Sequence, residues 1–267
     1  MSTPFVLVHG GAHGAWCWQA LFEHIHAADG DGDVLAVDLP PKEVRGVRVD
    51  PTAPLPAALA TVGLDDFATS VVADVDAAGL DRFVLVGHSM GGLTVAEVAR
   101  RIPERVACLV FVSCIVPPER GSVIDTLPAE FRDTVRESVE RAKAGDLAGG
   151  PATGLDEATI RRMFCNDMDD EQAQLVLDHC GAESPRAFDD TVTRAGIPPG
   201  LPKVYVRLAR DQALSPDDQD AQIANLRESP GGDLRVVELD TGHDVMISAP
   251  RLLASVLASA TVERGAS

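Results

Sequence analysis

The stretch FVLVGHSMGG, residues 83–92, decides how this sequence is interpreted. Its first four residues are apolar and predict a strand, and the residues from Met90 to Arg101 have the pattern of an amphipathic helix. Between the two lies Ser89 in a G-x-S-x-G pattern, which is typical of a tight turn that exposes a serine hydroxyl. The flanking Gly87 and Gly91 are required because larger residues would clash in such a turn. The stretch therefore predicts a serine nucleophile, with free N–H groups of a helix N-terminus behind it.

Apolar runs alternate with helical patterns on both sides of this stretch. The alternation predicts an α/β fold in which helices flank a mostly parallel sheet. The predicted strands are Phe5–Val8, Val34–Val37, Phe83–Val86, Val106–Val112, Lys203–Leu208 and Leu234–Leu239. The predicted helices are Ala15–Ala27, Leu64–Ala78, Met90–Arg101, Asp217–Arg227 and Pro250–Val262.

Residues 117–202 break the alternation, because they contain only short helical patterns. These patterns are Phe131–Ala144, Glu157–Phe164 and Asp170–Cys180. Roughly 85 residues are too many for a loop in a compact domain. We therefore predict a helical cap, residues 117–202, inserted into a core formed by residues 1–116 and 203–267. Apolar cap residues should mostly seal the cap against the core, and some should line an apolar pocket above Ser89, with residues 145–154 as its mobile part. They are Phe131, Leu147, Leu155, Met163, Phe164, Leu175, Leu177 and Phe188.

A serine hydroxyl becomes a good nucleophile only with a base and a carboxylate that orients the base. His243 follows the last predicted strand, and Asp211 follows the strand before it. Because carboxyl ends of parallel strands meet at one edge of a sheet, we expect Ser89, Asp211 and His243 to meet there. His88 should point to the opposite side of the turn. Asp244 follows His243 too closely in the chain to cradle its ring easily.

The segment after the first strand, HGGAHG at residues 9–14, is rich in small residues. Small residues let backbone N–H groups approach a substrate oxygen. The same strand, glycine-rich turn and helix, with Asp38 at the next strand end, nearly match a dinucleotide-binding fingerprint. That alternative fails because His9 occupies the place of the first glycine in a G-x-G-x-x-G pattern aligned on Gly11 and Gly14. The sequence therefore argues against a nicotinamide enzyme.

The charge and the cysteines exclude further classes of protein. The chain has 41 acidic and 23 basic residues and a formal net charge of −18. Such a surface repels phosphate backbones and anionic lipid, so we expect no nucleic-acid or membrane partner. The five cysteines form no C-x-x-C pair, which argues against zinc ribbons and redox dithiols. We expect a reduced, cytoplasmic enzyme, because the N-terminus passes directly into a strand without a signal peptide. We also expect a monomer or a homodimer.

Taken together, these segments resemble the α/β-hydrolase superfamily. The similarity covers residues 4–115 and 203–262 and is greatest to small esterases related to plant methyl esterases, hydroxynitrile lyases and bacterial pyrethroid-type carboxylesterases. Its most specific element is the pattern His-Gly-x-x-His-Gly-x-Trp at residues 9–16. The chain order Ser89, Asp211, His243 is also that of the superfamily.

The resemblance implies a role for each site residue. Ser89 would be the nucleophile, His243 the general base and then the acid, and Asp211 the carboxylate that orients His243. The N–H groups of Gly11 and Met90 would form the oxyanion hole. No cofactor and no metal are implied, because the triad performs the whole acyl transfer.

The predicted function is hydrolysis of a small, fairly apolar carboxylic ester through an acyl-enzyme intermediate, with amide, lactone and thioester cleavage as variants. Two alternatives use the same fold: a non-hydrolytic catalyst, such as a lyase or a cyclase in a biosynthetic pathway, and a ligand-binding protein. The resemblance argues against a hydroxynitrile lyase. Those enzymes have a threonine and a lysine where this chain has Gly10 and Asp244, and an aspartate would repel departing cyanide.

Overall fold

A computed structural model describes residues 3–29, 33–50, 52–147, 155–229 and 234–262. The strands in this part of the chain are β1 (Phe5–Val8), β2 (Val34–Val37), β3 (Phe83–His88), β4 (Val106–Val112), β5 (Lys203–Leu208) and β6 (Leu234–Leu239). They form one sheet in the order β2-β1-β3-β4-β5-β6, and every neighbouring pair is parallel. The predicted α/β fold with a parallel sheet is confirmed.

The helices of the described residues follow the predicted pattern with small differences at their ends. They are α1 (Gln19–Asp29), α2 (Leu64–Ala77), α3 (Gly91–Arg101), α4 (Val123–Thr126), α5 (Ala129–Lys143), α6 (Glu157–Phe164), α7 (Asp170–His179), α8 (Arg186–Asp189), α9 (Pro216–Arg227), α10 (Val245–Ser248) and α11 (Pro250–Val262). The largest difference lies at α1, because the predicted first turn, Ala15–Trp18, is a separate 3-10 helix. The short helices α4, α8 and α10 were not predicted from the sequence.

The inner strands of the sheet are buried on both faces, which is why β1 and β4 are unbroken apolar runs. Side chains alternate between two apolar clusters, as the two-residue period of a strand requires. Phe5 and Leu7 belong to one cluster, together with residues of α1, α6, α7 and α11. Val6 and Val8 belong to the other cluster, which α2, α3 and α9 cover. No helix in the described ranges is long and apolar enough to cross a membrane.

The cap region, residues 117–202, lies between β4 and β5 and contributes α4 to α8 in its described part. Helices α6 and α7 insert Ile160, Phe164 and Val176 into the same apolar cluster as the sheet. Phe131 and Leu175 are 56% and 38% exposed, so their predicted place in an apolar lining is wrong. Most of the other predicted residues pack inward, with Leu155, Met163 and Leu177 on the sheet cluster, Leu147 on a cluster around Leu55 and Phe188 on a cluster around Leu93.

Two predictions about this region stay predictions. The proposed mobile segment, 145–154, lies outside the described residues from residue 148 onward. The division into a core and a cap domain rests on the change in the pattern of elements at residues 117 and 202.

Candidate active site

Ser89 lies in the predicted turn between β3 and α3. Its φ is +52°, in the left-handed region that residues with a side chain rarely adopt, and its amide donates to the Val112 carbonyl at 3.1 Å. The backbone of Gly91 packs against the end of β1, because a Cβ there would lie 2.7 Å from the His9 carbonyl oxygen. The turn is therefore strained and tightly braced. Ser89 is partly exposed, and its hydroxyl makes no hydrogen bond to the described residues.

The structure brings the predicted base and acid into direct contact. His243 Nδ1 donates to Asp211 Oδ2 at 2.6 Å, and each residue is only 1% exposed. The same Asp211 oxygen accepts from Ser113 Oγ at 2.6 Å, while Oδ1 accepts from the amides of Ala213 and Leu214 at 2.7 and 2.8 Å. The carboxylate is thus fully hydrogen-bonded, and it holds His243 with Nδ1 protonated and Nε2 free to accept a proton.

The charges of this pair stabilise each other. Burial of Asp211 opposes its ionisation, but the nearby His243 ring and the hydrogen bonds from His243 and Ser113 lower the pKa of Asp211 overall. Burial of His243 likewise opposes its protonation, but the Asp211 carboxylate raises the pKa of His243 above its ordinary value. The pair is therefore suited to stabilise a protonated histidine during proton transfer.

The glycine-rich loop after β1 lies against the serine. A Cβ on Gly10 would lie 2.6 Å from Ser89 Cβ, and one on Gly11 would lie 2.8 Å from Met90 Sδ. The backbone N–H groups of Gly11 and Met90 have no acceptor among the described residues. Two unpaired donors beside the serine are the arrangement that an oxyanion hole requires.

A buried ion pair joins this loop to the residue after His243. His13 Nε2 lies 2.9 Å from Asp244 Oδ2, and His13 Nδ1 lies 2.8 Å from the Gly11 carbonyl oxygen. Because both partners are acceptors, both ring nitrogens carry protons and the imidazole is cationic. Burial opposes this charge, but Asp244 outweighs it and raises the pKa of His13. Asp244 does not bond to the His243 ring, in agreement with the sequence interpretation.

His88 lies closer to the site than the sequence suggested. Its ring centroid lies 4.5 Å from that of His243, and its Nε2 donates to the His243 carbonyl oxygen at 3.1 Å. Complete burial, followed by the field of His243, lowers the pKa of His88 to about 3, so the ring is neutral. His88 therefore supports the backbone of His243 and does not compete for its proton.

One group of side chains in the described ranges has the spacing of a metal site. His88, His243 and Asp244 each offer a ligand atom, and these atoms lie within 4.8 Å of one another. His243 Nδ1 and His88 Nε2 are already engaged in hydrogen bonds to Asp211 and to the His243 carbonyl. These hydrogen bonds explain the orientation of both rings. The expectation that the reaction needs no metal stays a prediction.

A narrow, largely apolar pocket lies beside Gly11 and Met90. It is formed between the loop after β1, helices α2 and α3, and the end of the cap region. Its lining residues include Leu39, Leu64, Phe67, Leu93 and Ala187, with Glu183 as a charged member. Glu183 is neutralised by a buried Arg45, whose Nη1 lies 3.0 Å from Glu183 Oε2. The space beside the candidate oxyanion hole therefore favours an apolar group.

Sequence reasoning missed three participants in this site. Ser113 follows β4 at the same sheet edge as Ser89, so its position at a strand end was an available signal. His13 belongs to the pattern at residues 9–16, and Asp244 follows the predicted base directly. The signal for their pairing was weak, because His13 and Asp244 are 231 residues apart in the chain.

A strained serine turn, a buried His–Asp pair and two unpaired amides at one edge of a parallel sheet define a hydrolase-type site. The model of the alpha/beta hydrolase family matches residues 5–256, and the chain belongs to that family. Esterase PIR7B of Oryza sativa subsp. japonica is 29% identical over 95% of this chain and 93% of its own length. The carbendazim hydrolyzing esterase of Nocardioides sp. (strain SG-4G) is 27% identical over 96% of this chain and 98% of its own length.

A solved structure shares the fold. It is described as an extracellular alpha/beta-hydrolase from a Paenibacillus species, and it matches with a TM-score of 0.77 at 22% identity, over 97% of this chain and 99% of that chain. Together, the family and the relatives named esterases support an ester hydrolase.

Proposed function

We propose that this chain is a serine carboxylic ester hydrolase that cleaves a small, fairly apolar ester through an acyl-enzyme intermediate. The observation that carries the proposal is the 2.6 Å hydrogen bond from His243 Nδ1 to the buried Asp211 carboxylate, at the edge where Ser89 is partly exposed. A histidine held in this tautomer keeps Nε2 available to accept the serine proton.

In the first half of the reaction, Ser89 Oγ attacks the ester carbonyl carbon while His243 Nε2 takes the hydroxyl proton. Asp211 stabilises the imidazolium that forms. The N–H groups of Gly11 and Met90 bind the oxyanion of the tetrahedral intermediate. The intermediate collapses when the C–O bond of the ester breaks, and His243 returns the proton to the leaving alcohol.

In the second half, water attacks the acyl-enzyme. His243 Nε2 removes a proton from the water, and the new tetrahedral intermediate is bound by the same two amides. Collapse breaks the bond to Ser89 Oγ, which regains its proton from His243, and the carboxylic acid leaves. Atoms balance without a further reactant, since one ester and one water give one acid and one alcohol.

Two features support the proposed substrate class. The pocket beside Gly11 and Met90 is narrow, and its lining includes the apolar side chains of Leu39, Leu64, Phe67, Leu93 and Ala187. Relatives over nearly the full chain are named as an esterase and as a carbendazim hydrolyzing esterase.

Substitution of the proposed nucleophile tests the mechanism. Ser89→Ala should lower kcat on 4-nitrophenyl acetate by about 10⁴-fold or more, and Asp211→Asn by about 10⁴-fold, the scale of triad deletions in serine hydrolases. Ser255→Ala removes an exposed hydroxyl on α11 and serves as the matched control with unchanged kcat. A fluorophosphonate probe should label the wild type but not Ser89→Ala.

Two outcomes would contradict the proposal. Retention of most activity by Ser89→Ala would show that the serine is not the nucleophile. Absence of labelling in the wild type, combined with tight binding of an apolar ligand, would favour the alternative of a ligand-binding protein.

A further inference from the structure

The segment Asn166–Asp167, between α6 and α7 of the cap region, reaches the loops that carry the proposed acid and base. Asn166 Nδ2 donates to the Arg210 carbonyl oxygen at 2.8 Å. Asp167 Oδ2 accepts from the Gly242 amide at 2.6 Å. Arg210 directly precedes Asp211, and Gly242 directly precedes His243. Two adjacent cap residues therefore hold the backbone immediately before each member of the pair.

The two loops are also joined to each other at this point. The Arg210 amide donates to the Thr241 carbonyl at 2.9 Å. Asp167 adds further bonds, because its Oδ2 accepts from Ser248 Oγ at 3.1 Å on α10 and lies 3.6 Å from Arg210 Nη2. The side chain of Asp167 is only 3% exposed. A single carboxylate oxygen thus links the residues before Asp211 and before His243 to the helix that follows His243.

The fit of this segment depends on Gly242. A Cβ at that position would lie 2.5 Å from Asn166 Oδ1 and also 2.5 Å from Asp167 Oδ1. Such contacts are shorter than van der Waals distance, so a side chain there would push the segment away. The glycine before His243 is required because the cap region packs directly on its backbone.

These contacts indicate that Asn166 and Asp167 hold backbone segments in place and do not mainly fill space. Asn166 is exposed and buries little surface, and its hydrogen bond joins it to the backbone oxygen of a residue 44 positions further along the chain. Reaction rates fall steeply when reacting groups are misplaced by a fraction of an ångström to one ångström. The His243–Asp211 bond can stay at 2.6 Å only while the two loops keep their relative position.

We infer that Asn166 and Asp167 are positioning residues that hold Asp211 and His243 in register for proton transfer. This inference rests on the proposed function. It gives the cap region a part in the chemical step, in addition to any part in selecting the substrate.

Asp167→Ala removes the acceptor of the Gly242 amide and tests the inference. We expect kcat on 4-nitrophenyl acetate to fall about 10- to 100-fold with KM nearly unchanged, because the side chain acts on the base and not on the substrate. Asp167→Asn keeps an oxygen that accepts from Gly242, so it should restore most of kcat. The downfield proton resonance of the His243–Asp211 hydrogen bond should shift in Asp167→Ala and return in Asp167→Asn.

Asp169→Ala is the matched control. Asp169 is exposed and caps α7 by accepting from the Gln172 amide at 2.9 Å, and within the described residues its side chain makes no hydrogen bond to the loops before Asp211 and His243. This variant should lose thermal stability and keep the wild-type kcat. If Asp167→Ala does not fold, Asn166→Ala replaces it, because this exposed side chain can be removed with little change in Tm and should still lower kcat several-fold.

The result that would overturn the inference is a kcat of the folded Asp167→Ala or Asn166→Ala variant within about 2-fold of the wild type while Ser89→Ala is inactive. An Asp167→Asn variant as slow as Asp167→Ala would also overturn it, because the charge and not the bond to Gly242 would then matter. Activity of Ser89→Ala would instead refute the proposed function, so the two failures are distinguishable.

Discussion

The carboxyl edge of the sheet and the cap region differ in how their side chains are positioned. At the edge, Ser89, Asp211 and His243 each follow a strand, so the parallel sheet places all three at the same edge. In the cap region, Phe131 and Phe164 both lie on helices, yet Phe131 is 56% exposed and Phe164 is 6% exposed. The comparison teaches that the end of a buried strand defines a position in space, whereas a place on a helix of the cap region does not.

The sheet edge and helix α5 of the cap region also differ in the burial of their charges. Of the residues around the predicted base, His13, His88, Asp211 and Asp244 are at most 1% exposed. Charged residues of α5 form surface pairs, for example Arg136 with Asp133, whose side chain is 91% exposed. Electrostatic effects on stability should therefore be larger at the sheet edge than on α5.

The largest expected effect on stability comes from breaking the His13–Asp244 pair. Asp244→Asn should lower the free energy of unfolding by about 3–5 kcal/mol, because it leaves a buried cation without its partner. Asp133→Asn, on the exposed pair with Arg136, should cause no measurable change. Urea unfolding at pH 6 measures both variants.

The pH dependence of this effect has a defined sign. The pKa of His13 is raised, so its contribution is complete below 6.5 and is lost as the pH rises through its folded-state pKa. The pKa of Asp244 is lowered, so its contribution is complete above 3.8 and is lost as the pH falls. The difference in the free energy of unfolding between the wild type and Asp244→Asn should thus be largest between pH 3.8 and pH 6.5. If this difference in the free energy of unfolding grew above neutral pH, it would contradict the assignment of His13 and Asp244 as a charged pair.

The next largest effect on stability is expected from replacing a phenylalanine of the cap region by alanine. Phe164 stacks on the His243 ring with centroids 5.6 Å apart and meets the His13 ring edge-on at 5.0 Å. Phe164→Ala should cost about 3 kcal/mol, whereas the exposed Phe131→Ala should stay within about 0.5 kcal/mol. Equal losses in thermal or urea unfolding would show that the two faces of the cap region are not distinct.

The smallest expected effect is a shift in the acid limb of the pH–rate profile. In the proposed mechanism His243 must be neutral to act as the base, and the Asp211 carboxylate outweighs burial to raise the pKa of His243 above 6.5. The rate constant kcat/KM on an uncharged ester should therefore fall with a midpoint above pH 6.5 as the solution is acidified. A midpoint below that value would mean that Asp211 does not control the base.

Much of the fold was predictable from the sequence. Five of the six strands have the predicted limits, and β3 extends two residues further, to His88. Burial on both faces explains this success for the inner strands, because β1 and β4 are continuous apolar runs. The start of α1 was mispredicted by four residues, since the turn at Ala15–Trp18 has helical periodicity but 3-10 hydrogen bonding.

The candidate site was predictable where it depends on chain order. Asp211 and His243 were placed by their positions after β5 and β6, and the structure pairs them. Ser113, Asn166 and Asp167 were not predicted as parts of the site, because their partners lie 75 to 98 residues away or, for Asn166, 44 residues away. No local pattern records which side chain will meet which backbone group over such separations.

The sequence by itself determined the parallel sheet, the strained turn at Ser89 and the edge of the sheet at which Ser89, Asp211 and His243 lie. Each of these features can be recognised from hydrophobic periodicity or from glycine spacing along a few consecutive residues. Only the tertiary structure decided that His13 pairs with Asp244 and that Asn166 and Asp167 hold the loops before Asp211 and His243. Such pairings depend on distances between segments remote in the chain, and packing of the whole protein sets those distances.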